Sequence, residues 1–156
     1  MSIPSKKTTF GTLKYNGEIY KIFSIPIGEE RAEKIRLFKN THNYGSSTAS
    51  WIFNIYEWEI DDNKLYLTNV DSFLAPNDKK YNILQEVFGV NKLFIDSKEI
   101  KIKALVKDID EKMIEHSIKE CIREVLRFNF KDGILQEVKN EIEVYRMKVL
   151  KNYVED

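Results

Sequence analysis

The 156-residue chain is predicted to form a single α+β domain, with an antiparallel sheet built from hairpins and about four flanking helices, the last one C-terminal. The length fits one domain with a core of its own. Hydrophobic residues make up 42% of the chain and aromatic residues 12%, which is too much apolar material for a disordered chain. Turn dipeptides such as Asn16-Gly17 separate runs in which apolar and polar residues alternate, as they do in hairpins.

The N-terminal part of the chain is predicted to contain a hairpin, a helix and a loop. Asn16-Gly17 suits a type I′ turn, in which both positions need positive φ, and this turn places Leu13 opposite Tyr20. Apolar residues at spacings of three predict a short amphipathic helix over residues 29–39. Residues 40–50 are small and polar, so they are predicted to form a long loop.

A second hairpin is predicted around Asp62-Asn63. With these two residues in the turn, Ile60 faces Leu65 and Glu57 faces Thr68. One face of the hairpin is then apolar and the other polar, as in an antiparallel sheet with one side in water. The polar face carries Glu57, Glu59, Asp61, Lys64, Tyr66 and Thr68.

The middle of the chain is predicted to form a short helix and a third hairpin. Asn77 is a suitable N-cap for the helix, and Gly89 is a suitable residue to close it. Residues 92–95 and 99–106 carry apolar side chains at alternate positions, so these two segments are predicted to pair with each other.

The last third of the chain is predicted to be a helix, a hairpin and another helix. A capping box at Asp108 begins a helix to about residue 120, although residues 120–127 fit both helix and strand. Residues 122–131 and 134–138 flank a turn and are predicted to be paired strands. A C-terminal helix is predicted to begin at Asn140.

Charge, cysteine content and hydropathy exclude several classes of protein. The chain has 25 basic and 25 acidic residues, so it lacks the basic excess that is typical of nucleic-acid binders. One cysteine cannot form an internal disulfide, which favours a reducing, cytoplasmic location. The N-terminus lacks the pattern of a secretory signal, and no run of about 18 apolar residues predicts a membrane span.

One segment resembles a family of small bacterial proteins that have no known activity. The residues that carry the resemblance are Ser47-Thr48-Ala49-Ser50-Trp51, Tyr56, Trp58-Glu59-Ile60 and Lys64-Leu65-Tyr66-Leu67. Members of that family have a Thr-Ala-Cys-Trp-Arg-Gly-Tyr type segment that leads into Trp-x-Ile-x-x-x-x-Leu-Tyr-Leu. The hairpin part is similar, whereas Ser50 stands where the family often has cysteine, and Ile52-Phe53 replaces its Arg-Gly pair. The resemblance implies a shared α+β fold and no particular activity.

The sequence predicts no catalytic or metal-ligating site, and so no cofactor. His42 and His116 are the only histidines, and the chain has no glycine-rich phosphate loop and no nucleophile elbow. Cys121 is predicted to be a buried thiol, because apolar residues surround it in the sequence and such a setting makes a thiol unreactive.

Two groups of residues are predicted to form a binding surface. Three carboxylates at alternate positions of one strand point the same way, and water or a basic partner relieves their mutual repulsion. This acidic face consists of Glu57, Glu59, Asp61, Asp62 and Tyr66. The 40–50 loop and its end contribute His42, Tyr44 and Trp51, and aromatic residues are favoured anchors of protein interfaces.

The predicted function is that of a non-catalytic protein-binding domain. Residues 1–50 hold 8 basic and 4 acidic groups, whereas residues 51–100 hold 5 and 9, and such asymmetry steers association. In its sharpest form the domain is an immunity-type protein that neutralises a bacterial toxin, with a basic toxin domain as partner. Two alternatives stay open: a cytosolic enzyme that uses Glu57 or Glu59 as acid or base, and a nucleic-acid-binding or regulatory module. The sequence leaves the oligomeric state open.

Overall fold

The computed structural model describes residues 11–41, 55–74 and 79–149, and it describes side chains at 11–41, 55–71 and 82–149. Strands account for most of these residues, and two short helices accompany them. In chain order the elements are β1 (Gly11–Tyr15), β2 (Glu18–Ile22), α1 (Glu29–Thr41), β3 (Ile55–Asp61), β4 (Lys64–Leu74), β5 (Lys79–Asn82), α2 (Leu84–Phe88), β6 (Leu93–Phe94), β7 (Glu99–Glu115), β8 (Ile118–Lys131) and β9 (Ile134–Lys148).

Seven of the strands form a closed barrel. The hydrogen-bonded order is β3-β1-β2-β7-β8-β9-β4, and β4 pairs with β3 to complete the ring. β1 and β3 run parallel, while the other neighbours in the ring run antiparallel. β5 and β6 pair with β4 outside the ring. The predicted α+β fold with about four helices is therefore wrong, because the described part of the chain is mostly strand and contains two short helices.

The ring closes where the turn between β8 and β9 meets the turn between β3 and β4. The Leu65 amide donates to the Gly133 carbonyl at 3.0 Å, and the Leu135 amide donates to the Asn63 carbonyl at 2.7 Å. Gly133 has a φ of +82°, and a Cβ here would lie 2.5 Å from the carbonyl oxygen of Ile95. Glycine is the residue that accommodates both the backbone conformation and this close approach.

The apolar faces of the strands fill the core. Trp58 and Phe128 are almost completely buried, and the ring of Tyr15 meets that of Phe128 edge-on at 5.1 Å between centroids. Helix α1 adds Ile35 to the same cluster. Strand residues that complete this cluster include Leu13, Ile22, Leu65, Leu67, Ile102 and Phe130.

Both predicted N-terminal hairpins are present. Asn16-Gly17 has positive φ at both positions, and Leu13 pairs with Tyr20 as predicted. In the second hairpin, Ile60 pairs with Leu65 as predicted. The predicted helix over 29–39 is confirmed as α1, whose bounds are slightly wider.

A β-bulge changes the far part of the second hairpin. The register shifts between Glu57 and Trp58, so that Glu57 pairs with Asn69 and not with Thr68. A bulge sets two residues of one strand against one of the other, and alternation alone does not signal it.

Both helices predicted in the last third are wrong. β7 continues through Asp108 to Glu115, and β8 then begins at Ile118. β9 continues through Asn140 to Lys148. Cross-strand pairing of three long antiparallel strands overrides the local periodicity that suggested helices. The predicted strands over 122–131 and 134–138 are present as parts of β8 and β9.

The middle of the chain also departs from its prediction. Residues 92–95 and 99–106 do not pair with each other, because β6 pairs with β4 while β7 pairs with β2 and β8. A strand, β5, precedes the short helix α2, which closes at a left-handed Gly89 as predicted. Asn77 lies outside the described residues. Neither α1 nor α2 is long and apolar enough to cross a membrane.

The outer parts of β7, β8 and β9 extend past the barrel. Among the described residues, β2 pairs with β7 at Leu105 and Ala104, and β4 pairs with β9 at Ile134. Beyond these points, within the described ranges, the three strands pair only with one another. We call this part the distal ribbon, which comprises residues 107–115, 118–124 and 141–148.

Candidate functional site

The predicted acidic face lies on the outer side of β3 and β4. Glu57 and Asp61 are exposed and Glu59 is partly exposed, while the residues between them in β3 are buried in the core. Tyr66 pairs with Glu59 across the hairpin, and directly opposed residues share a face. Asp62 is exposed in the turn. The structure thus brings all five residues of the acidic face together, because strand residues point alternately to the two faces.

A lysine that the sequence analysis did not select lies at the centre of the acidic face. Lys92 Nζ is 2.7 Å from Asp61 Oδ2, 3.9 Å from Glu59 Oε1 and 4.4 Å from the centroid of the Tyr66 ring. Its hydrogen bond, and then its charge, lower the pKa of Asp61. Lys92 is 31 residues away from Asp61 in the chain, so no local spacing could reveal the pair.

Pairing of β6 with β4 explains how Lys92 reaches this position. Phe94 of β6 pairs with Tyr66 of β4, and their ring centroids are 5.7 Å apart. Lys92 immediately precedes β6, so the same pairing carries its side chain to the carboxylates. An aromatic pair and a bridging lysine therefore accompany the acidic face.

The surroundings of the acidic face are mixed in charge. Lys14 of β1 is exposed and pairs with Glu59 in the parallel register of β1 and β3. The amide of Asn69 donates to Glu57 Oε2 at 3.2 Å, a contact that the bulge makes possible. The face is an exposed mixture of carboxylates, lysines and aromatic rings, which is typical of the polar part of a protein interface.

The three loop residues predicted to belong to the binding surface are His42, Tyr44 and Trp51. All three lie outside the described residues, so their position relative to the acidic face stays a prediction.

Groups that could support catalysis or metal binding are scattered in the described part of the chain. No set of three or more His, Cys, Asp and Glu side chains in these ranges could hold a metal ion. Cys121 is buried, as predicted, but it lies on β8 opposite Tyr145 and not on a helix. His116 is exposed in the turn between β7 and β8. Burial, and then a hydrogen bond with Cys121, raise the pKa of the Tyr145 hydroxyl.

A second candidate site, which the sequence did not predict, lies over β7, β8 and β9 as a cleft of about 350 Å³. We call it the basic cleft, and its lining includes Phe23, Ser24, Lys101, Lys103, Arg127 and Lys139, together with the carboxylate of Glu141. These residues come from four separate parts of the chain. The predicted third hairpin and C-terminal helix would have kept them apart, and only the pairing of the three long strands makes them neighbours.

A buried arginine supports one end of the basic cleft. The guanidinium of Arg123 lies 4.3 Å from the ring centroids of both Phe23 and Tyr145. Glu143 accepts hydrogen bonds from Arg123 Nε at 2.6 Å and from Lys103 Nζ at 2.7 Å. Burial by itself would raise the pKa of Glu143, but these two cations bring it below its ordinary value.

Helix α1 carries a lysine that lies in neither site. Lys39 is fully buried, on the same helix face as Ile35, and burial lowers its pKa from 10.5 to about 8. A lysine amine in an apolar environment loses the solvation that favours its charged form.

Comparison of the chain with protein-family models, with curated proteins and with solved structures gives no match. The resemblance noted from the second hairpin therefore stays a prediction.

Proposed function

We propose that the protein is a non-catalytic, cytoplasmic protein-binding domain whose acidic face binds a basic protein partner. In the sharpest form of this proposal it is an immunity-type protein that neutralises a bacterial toxin. The observation that carries the proposal is the outward group of Glu57, Asp61 and Asp62 beside the ring of Tyr66. Exposed charges of this kind raise association rates and select partners of opposite charge.

The shape of the acidic face favours binding over catalysis. The acid–base pair of a glycosidase flanks the bond that it cleaves, so the substrate lies between the two carboxyl groups. Glu57 and Glu59 instead point outwards from one strand, and neither of them lines the basic cleft. A rigid strand that presents fixed charges and an aromatic ring suits a protein interface.

Lys92 pre-arranges the acidic face. Its ammonium group holds Asp61 and contacts Glu59 and Tyr66, so these side chains lose little conformational freedom when a partner binds. Because Lys92 neutralises part of the charge, a basic partner must compete with it. We therefore expect binding to weaken as the salt concentration rises.

The proposal is tested by isolating a partner and then mutating the acidic face. The tagged chain is purified from its native host at low salt, and any partner is produced separately for calorimetry. The triple variant Glu57→Gln, Asp61→Asn, Asp62→Asn should bind about tenfold more weakly or worse, with a shallower dependence on salt. For the toxin form, co-production of the wild-type chain should restore growth of cells that make the partner, and the triple variant should not.

A matched control changes the same number of exposed acidic residues elsewhere. Asp108→Asn, Asp110→Asn and Glu115→Gln lie on the outer part of β7, away from β3 and β4, and should leave the affinity unchanged. Recovery of the chain alone at low salt, or equal weakening by both triple variants, would overturn the proposal.

A further inference from the structure

We propose that the basic cleft binds a small organic ligand through a phosphate group. This inference is independent of the acidic face and of any protein partner.

The first observation is a row of like charges across three neighbouring strands. Lys103 of β7 pairs with Arg127 of β8, and Arg127 pairs with Lys139 of β9. Like charges in directly opposed positions destabilise a sheet. A row of three cations is therefore a cost to the fold, and a bound anion would offset it.

The carboxylates of the protein offset the row only in part. Glu143 accepts from Lys103 at 2.7 Å and from Arg127 at 3.2 Å, and Glu141 accepts from Arg127 Nε at 2.7 Å. Lys139 Nζ lies 3.8 Å from Glu137 Oε2, a longer ion pair. Lys101, which also lines the basic cleft, has no ion pair among the described residues. Its ammonium group is left with donors to offer to a ligand.

The second observation concerns the hydrogen-bonding groups that line the basic cleft. The hydroxyl oxygen of Ser24 is buried and has no hydrogen-bond partner among the described residues. A buried hydroxyl without a partner is costly and uncommon in a folded protein. The lysines and the arginine that line the cleft are donors and outnumber its carboxylate, Glu141. The Ser24 hydroxyl adds a further donor, so the matching ligand is rich in acceptors.

Phosphate fits this donor set better than carboxylate. A phosphate monoester offers three terminal oxygens and a charge near −2 at neutral pH, whereas a carboxylate offers two oxygens and a single charge. Arginine binds phosphate through its planar fork, and lysine binds it as a point charge. Lys101, Lys103 and Arg127 are positioned to surround such a group together.

The remaining wall of the cleft suits the organic part of the ligand. Phe23 forms this wall, and its ring is held in place by the guanidinium of Arg123, which stacks between Phe23 and Tyr145. The volume of about 350 Å³ is at the small end of the range for ligand pockets. A phosphorylated metabolite fits that size, and a nucleic-acid strand would need a longer groove with stacking platforms.

The test uses phenyl phosphate as probe, with benzyl alcohol as the neutral comparison, in a titration followed by amide chemical shifts at low salt. We expect saturable shifts at residues 23–24, 101–103, 127–129 and 139–141 with phenyl phosphate and none with benzyl alcohol. Lys101→Gln and Arg127→Gln should each weaken binding about tenfold. Ser24→Ala should weaken it severalfold without loss of thermal stability, because the hydroxyl has no partner to lose.

The matched controls are Lys14→Gln and Lys64→Gln, which remove a charge outside the basic cleft and should leave the affinity unchanged. Lys101→Gln is the variant least able to disturb the fold, because no ion pair in the described residues depends on it. Unsaturable shifts at lysines all over the surface, or equal binding by the cleft variants and the controls, would overturn the proposal. Tighter binding of a single-stranded oligonucleotide, with shifts that extend to Lys98 and Lys131, would also overturn it.

Discussion

The same three strands lie in two very different environments along their length. In the barrel, β7 and β8 turn Ile102 and Phe128 into a core where neither is accessible to water. In the distal ribbon, Ile142 is 60% exposed and Val144 is 57% exposed. β8 pairs with β7 and β9 through both parts, although the register with β7 shifts between Leu105 and Lys107, between Asp108 and Asp110, and between Met113 and Glu115. The main difference lies in what covers the faces of the sheet.

This comparison separates two sources of stability. The barrel halves of the strands gain free energy from the burial of apolar side chains, which is the main driving force of folding. The distal ribbon gains little from burial and depends on its ladder and on cross-strand pairs, of which Arg123 with Glu143 is the most buried. A ribbon held in this way should open more readily than the barrel.

The largest expected effect is a contrast between one core residue and one ribbon residue. Phe128→Ala should lower the free energy of unfolding by about 3–5 kcal/mol, because it leaves a cavity in the barrel core. Ile142→Ala should change it by about 0.5 kcal/mol or less, because most of that side chain already lies in water. Urea denaturation of both variants measures the contrast. A loss of about 2 kcal/mol for Ile142→Ala would mean that something covers the ribbon in solution.

The next largest effect on the free energy of unfolding is expected from a substitution at Gly133, where the barrel closes. Gly133→Ala should cost about 2–4 kcal/mol, because the residue has positive φ and its new Cβ would meet Ile95 and Phe94. Gly17→Ala is the control, since Gly17 has the same φ of +82° but open space around it, and should cost about 1 kcal/mol. Equal losses in thermal denaturation would show that the contact at the closure is unimportant.

The smallest expected effect centres on Glu143 in the distal ribbon. Lys103 and Arg123 hold the pKa of Glu143 below its ordinary value of 4.5, despite the opposing effect of burial. A carboxyl group with a lowered folded-state pKa contributes stability above its unfolded pKa, and this contribution is lost as the pH falls through the folded value. Corrected amide-exchange protection in the ribbon should therefore decrease below about pH 4.5, before protection in the barrel does.

The variant Glu143→Gln supplies the control for this pH dependence. It should lower ribbon protection by about 1–2 kcal/mol at neutral pH, because charged hydrogen bonds are lost, and it should remove the acid step. If the acid step persists in Glu143→Gln, another carboxylate controls the opening of the ribbon.

The contrast between barrel and ribbon also explains where the sequence predictions succeeded. Asn16-Gly17 and Asp62-Asn63 are turns whose backbone demands are local, and burial on one side fixed the pairing of Ile60 with Leu65. The predicted helices at Asp108 and Asn140 both fall at the start of the distal ribbon. There Cys121 and Arg123 are buried, but apolar residues such as Ile142 lie on the exposed side. Apolar and polar positions therefore do not mark an inner and an outer face, and the spacing of the apolar residues imitates a helix.

The two candidate sites also differ in how far local sequence patterns predicted them. The acidic face lies on one hairpin, and the alternation within that hairpin predicted which of its residues share a side. Lys92 and the residues of the basic cleft come from distant parts of the chain, and nothing in their local spacing marks them.

The sequence alone determined the two N-terminal hairpins, the helix after them and the outward side of the carboxylates, since turn chemistry and alternation act over a few residues. The tertiary structure alone decided the closed barrel, the distal ribbon and the basic cleft. These depend on pairings between strands far apart in the chain, whose free energy comes from ladders and burial that no short segment contains.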